Sequence, residues 1–141
     1  MEYKRFNEKV IVRLDPGDEL MSSLLKIAEK ENILFANVSG IGGSNDVVLG
    51  VYDVEEKQYY KKRFNDRNYE IVSLVGNINR MDGEPYIHVH AAIGSPRSSH
   101  FEGGHLNEAV ISVTAEIVLE VIEAEIDRKF SEQIGLNIFK F

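Results

Sequence analysis

Cysteine is missing from all 141 residues, and so is tryptophan. Without a thiol there is no disulfide framework, and zinc fingers, iron–sulfur clusters and cysteine nucleophiles are excluded. Proline is scarce, with only Pro16, Pro85 and Pro96. No linker, low-complexity tract or internal repeat divides the chain. Residues 1–141 therefore read as one domain, long enough to bury a core without covalent staples. No apolar run nears the ~20 residues that cross a bilayer. The opening residues Met1–Phe6 lack the apolar centre of a secretory signal, so a soluble cytoplasmic domain is the expectation. Positive charge is in deficit: 16 Lys and Arg stand against 23 Asp and Glu, a net charge of −7. That balance opposes general binding to a phosphate backbone, which needs a positive surface to release counterions.

What is present is strand chemistry. Val10–Leu14 is β-branched and sets Val10, Val12 and Leu14 on one face, the period of a strand. Asp15-Pro16-Gly17 breaks that run, and Asp18 is placed to cap a helix. Leu20, Met21, Leu24, Leu25 and Ala28 then recur at three- and four-residue steps within Glu19–Glu31, which predicts the one clear helix. Ile33–Ser39 returns to strand character and ends in Gly40-Ile41-Gly42-Gly43. Those glycines read as a sharp strand-to-strand turn or as a close backbone approach at a subunit interface. No Lys-Ser/Thr follows them, so a phosphate-cradling loop has little support.

Further strands are expected at Val47–Val54, Gln58–Phe64, Tyr69–Ile78 and Tyr86–Ile93, with hairpin signals at Asn65-Asp66 and Asp82-Gly83. Ser95–Gly104 is polar and glycine-rich and reads as a loop. Ala109–Ile126 fits both periods and is taken as a long strand to about Leu119, with a short last strand at Gly135–Phe141. The sum is an α+β fold: a mainly antiparallel sheet of about seven strands with one or two helices packed on it.

All four histidines fall between positions 88 and 105. On a strand, residues two apart share a face, so His88 and His90 project together while Val89, Ala91 and Ile93 turn to the core. Such a pair can share one ion if a third ligand arrives from elsewhere, and the glycines before His105 give the chain freedom to bring it back. Three neutral imidazoles with an open fourth position suit zinc, and also copper, nickel or iron. Water, Glu102 or His100 are all possible fourth ligands. The alternative is a pair of solvated histidines on a polar strand face.

Two other clusters carry chemistry. Lys57, Lys61, Lys62, Arg63 and Arg67 are interleaved with Tyr59, Tyr60 and Phe64, a pattern that can bind nucleic acid by phosphate contact and stacking. A solvated hairpin with its aromatics covering the sheet is the plainer reading. Glu116, Glu120, Glu123, Glu125 and Asp127 form an acidic stretch of the kind that usually faces solvent. No serine sits in a nucleophile elbow.

These residues together resemble a known family. Gly40-Ile-Gly-Gly43, Tyr69–Ile78, Asp82–Ala91 with its His88-Val-His90, Gly103-Gly-His-Leu106 and Thr114-Ala-Glu116 are similar in order and spacing to the plants and prokaryotes conserved (PPC) domain of the stand-alone prokaryotic type. The resemblance runs from about Phe6 to Phe141. It implies a PPC-domain-like antiparallel sheet with flanking helices, a homotrimer, and a regulatory role in association with DNA or DNA-bound proteins. In plant members the DNA-binding label attaches to an AT-hook, which this sequence lacks. For prokaryotic members the resemblance implies a divalent metal, zinc foremost, on His88, His90 and His105. It assigns no position to His100. Glu116, in the Thr-Ala-Glu element, would orient a ligand imidazole or act as a base beside bound water. The competing functional reading is a zinc-dependent hydrolase or hydratase of a small substrate, working through metal-bound water.

Overall fold

Lys9–Leu14 (β2) buries Val10, Val12 and Leu14 and exposes Lys9, Ile11 and Arg13, the alternation of a strand with one face in the core. It forms a hairpin with Glu2–Phe6 (β1), an edge strand whose side chains are mostly exposed and charged. Charged edges of this kind discourage pairing with other chains, and they carry no hydrophobic period by which to be predicted. The helix follows as Leu20–Lys30 (α1), with Leu20, Leu24, Ile27 and Ala28 buried.

Its N-cap is Glu19 rather than Asp18. The Glu19 carboxylate accepts hydrogen bonds from the Met21 amide at 3.0 Å and the Ser22 amide at 2.7 Å. Asp18 is occupied one step earlier, accepting from the Asp15 amide at 2.8 Å and so closing the Asp-Pro-Gly turn.

The main sheet continues through Ala36–Asp53 (β3), Gln58–Phe64 (β4), Tyr69–Met81 (β5), Glu84–Ser95 (β6) and His100–Val121 (β7). Every pairing is antiparallel, in the order β1-β2-β7-β6-β5-β3-β4. Strand β7 also pairs with β3, so β7, β6, β5 and β3 close a ring. The inward faces and α1 share one cluster of 26 buried residues, with Leu24, Leu74, Ile78 and Ile117 fully enclosed. The expected seven-stranded antiparallel sheet with one packed helix is what the chain forms.

Three local expectations change. Gly40–Gly43 does not turn the chain: it lies inside the 18-residue β3, which joins the two strands expected at Ile33–Ser39 and Val47–Val54. The glycines serve a close approach, to β7 of the same chain. A Cβ on Gly42 would stand 2.6 Å from the Ala115 Cβ, and the pairing register shifts on both sides of this residue. Ser95–Gly104 is mostly strand, because backbone hydrogen bonding needs no side-chain pattern; only residues 96–99 turn. Beyond β7, Asp127–Ser131 (β8) and Leu136–Lys140 (β9) form a separate two-stranded ribbon. β9 is the expected last strand. β8, at the end of the acidic stretch, is new. This computed structural model describes residues 1–141, and no helix in it is long and apolar enough to cross a membrane.

Candidate metal centre

Strand β6 presents His88 and His90 on one face, while Val89 and Ala91 are buried on the other. The third imidazole comes from β7, where His105 is paired directly with His90. At the same position His105 is also paired with Gly50 of β3, so it sits where three strands meet. Two glycines permit that crowding. A Cβ on Gly104 would lie 2.7 Å from the Gly50 carbonyl oxygen, and one on Gly50 would collide with the Tyr59 hydroxyl. The glycines before His105 therefore act by close packing within a strand, not by looping.

The ligand nitrogens of His88, His90 and His105 all lie within 4.8 Å of one another. His88 Nε2 and His105 Nδ1 are 3.1 Å apart, and the His90 and His105 ring centroids are 4.1 Å apart. Nitrogens about 2.0–2.1 Å from a shared tetrahedral ion lie close to these separations, so the three residues fit a divalent transition metal. Burial, then the nearby Arg128 charge, then His105 and His90 push the His88 pKa down to about 4. Burial first, and His90 second, lower that of His105. Both rings are thus neutral at pH 7 with lone pairs available, the form in which imidazole binds metal. A divalent ion held by these three residues would supply Lewis acidity.

Above His88 and His105 opens a cleft of about 530 Å³, walled by Tyr52, Tyr59, Tyr86 and Asn107. Its far side comes from the β8–β9 ribbon, which contributes Arg128 and Asn137. Arg128 is only 6% exposed. Residue-type reasoning missed it, since a single arginine after an acidic stretch bears no local mark of burial. Tyr59, one of the aromatics of the basic hairpin, has its ring 5.9 Å from that of His105.

The other expected site residues lie elsewhere. Glu116 is eleven positions along β7 from His105, beside Arg13 and Ile41, so within one chain it reaches none of the three histidines. At ~3.3 Å per strand residue the separation is too great for an outer-sphere contact. His100 packs its ring between Phe64 and Tyr69, with Glu102 Oε1 3.6 Å from its Nε2. Both alternate with His105 along the strand, so neither supplies a fourth ligand here. Of the basic hairpin, Lys62 meets Glu102 at 3.3 Å, Arg63 holds Asp46 at 2.7 Å together with Glu108, and Arg67 pairs with Asp66. Lys61 and Lys62 also lie over the Tyr59 and Phe64 rings. Lys57 sits in the β3–β4 turn with a positive φ of 51°.

Comparison with known proteins agrees with this architecture. No curated protein matches the sequence. Among solved structures, a putative DNA-binding protein from Bacteroides thetaiotaomicron is 30% identical, with a TM-score of 0.94 over 99% of this chain and 96% of that one. A metal-containing protein from Archaeoglobus fulgidus is 32% identical, with a TM-score of 0.87 over 99% and 97% of the two chains. A plant- and prokaryote-conserved (PPC) protein from Pyrococcus horikoshii is 29% identical, with a TM-score of 0.84 over 99% and 94%. The model of the Plants and Prokaryotes Conserved (PCC) domain matches residues 1–123, and the chain belongs to that family.

Proposed function

We propose that His88, His90 and His105 hold one divalent transition metal, zinc foremost, and that the protein works as a metal-bearing PCC-domain homotrimer. The convergence of three imidazoles within 4.8 Å carries the reading. The description of the Archaeoglobus relative as a metal-containing protein supports it. The test is metal per chain, measured by elemental mass spectrometry on protein without a histidine tag. One zinc per chain is expected, falling below about a tenth in His88→Ala and His105→Ala. Well-folded wild type that stays metal-free when supplied with zinc would end the proposal.

Assembly is supported by the outer surface. Ile11, Ile41, Val72 and Val75 line one shallow hollow on the sheet, and the last three are each more than half exposed. A contiguous apolar surface of this kind favours association. An association with DNA is suggested by the description of the Bacteroides relative. With a net charge of −7 and three of the five hairpin cations already paired, contact through DNA-bound partner proteins fits this chain better than direct phosphate binding. A second reading, hydrolysis or hydration of a small substrate at the metal, is favoured by the cleft that opens directly on His88 and His105.

A further inference from the structure

Of the seven arginines only Arg128 is buried; Arg80, which also donates to neutral acceptors alone, is half-buried. Arg5, Arg13, Arg63 and Arg67 are all more exposed than Arg128, and each has a carboxylate within 4 Å. Arg128 is buried and has none. Its Nε donates to Asn79 Oδ1 at 2.8 Å, one terminal nitrogen to the Asn137 carbonyl at 2.9 Å and the other to Asn77 Oδ1 at 3.0 Å. All three acceptors are neutral. The guanidinium is sandwiched between the Tyr86 and Phe139 rings, 4.6 Å from each centroid.

A buried charge is expected to be paired, because desolvation costs several kcal/mol that neutral partners only partly offset. Here the side chain is held in one orientation at the edge of the cleft, and two of its five N–H donors are unclaimed. The His88 cluster lines the same cleft, so a metal there adds further positive charge. Such a site lacks one component: an anion.

We infer that the cleft binds a small organic carboxylate, with its carboxylate on Arg128 and its remaining polar group turned toward the metal position beside His88 and His105. The inference rests on the metal reading above. A volume of about 530 Å³ suits a small molecule rather than a polymer. One arginine balances one carboxylate and can grip it through paired N–H donors. Arg128 is the one Lys or Arg side chain lining the cleft, which matches the single charge of one carboxylate. The ribbon that carries Arg128 lies beyond the residues 1–123 matched by the family model.

The experiment titrates zinc-loaded protein by calorimetry with acetate and lactate, each against its neutral amide, and with inorganic phosphate. Zinc content is measured separately on the same samples. At least one acid is expected to bind about tenfold or more tightly than its amide, and Arg128→Gln is expected to lose that preference while keeping its zinc. Equal binding of acid and amide, or no binding of either acid, by zinc-loaded wild type would overturn the inference. So would phosphate binding as tightly as the better acid. If Arg128 only ties the ribbon to the sheet, Arg128→Gln lowers the melting temperature and wild type shows no acid preference. The acid–amide comparison in wild type decides the matter even if the variant fails to fold. Absence of zinc from wild type would instead defeat the metal reading, on a measurement independent of the titration.

Discussion

At the scale of single residues, the protein's character lies in keeping imidazoles neutral and a guanidinium charged within one cleft. Burial pushes the His88 pKa down to about 4 in the folded chain, against about 6.5 when unfolded. Between those values the unfolded chain binds a proton that the folded chain refuses, so stability rises with pH across this window. The contribution is complete above pH 6.5 and is lost progressively as the pH falls toward 4. Metal-free wild type should therefore lose melting temperature from pH 7 to pH 4.5 more steeply than metal-free His88→Gln. Parallel profiles for the two proteins would remove His88 from the account. The His88-Val-His90 pair was legible in the sequence because a strand's period of two is local. His105 was legible only as a candidate third ligand behind a run of glycines, and the family resemblance implied it as one. Arg128 was illegible: what makes it unusual is the absence of a carboxylate around it, and that is a property of neighbours from Asn77, Asn79 and Asn137.

At the scale of elements, close approach and capping decide where strands and the helix begin and bend. Glu19 caps α1 and also accepts from the Ala109 amide at 3.2 Å, so one side chain joins the helix start to β7. Replacing it with alanine should cost about 1–2 kcal/mol, read as a lower denaturation midpoint with an unchanged slope. Gly42→Ala should cost about 1–3 kcal/mol, since its new methyl would press on Ala115 and the Thr114 carbonyl in a well-packed sheet. A variant as stable as wild type would show that β3 and β7 can separate without loss. The Asp82-Gly83 hairpin was readable, and both residues take the positive φ that a tight turn demands. The continuity of β3 through four residues rich in glycine was not. A run of glycines has no side-chain pattern, and its extended path is imposed by β5 on one edge and β7 on the other.

At the scale of the whole molecule, the ring formed by β3, β5, β6 and β7 leaves an apolar hollow outside and a cleft that carries Arg128 beside the three histidines. Ile41→Asp combined with Val72→Asp should reduce the mass seen by light scattering to that of one chain, because a charged hollow can no longer be buried. Metal content should stay at one per chain, since the three histidines of the site come from one chain. Loss of both together would mean that the assembly builds the site. Chelation should lower the melting temperature, because a ligand at a thousandfold excess over its Kd stabilises the folded state by about 4 kcal/mol.

By itself the sequence determined the class of fold and the donor type of the candidate metal site. Alternation, helical spacing and hairpin residues are local patterns, and a chain without thiols whose histidines are all clustered leaves imidazole as the nitrogen donor. Only the tertiary structure decided which residues share the cleft. His105 meets His90 because β7 folds back on β6, and it meets Tyr59 because a glycine in β3 makes room. Glu116, twinned with the histidines by motif, is carried away along the same strand. Arg128 arrives from a ribbon with no local signal of its own. Contacts between residues far apart in the chain depend on which strands pair, and pairing is a property of the whole sheet rather than of any segment in it.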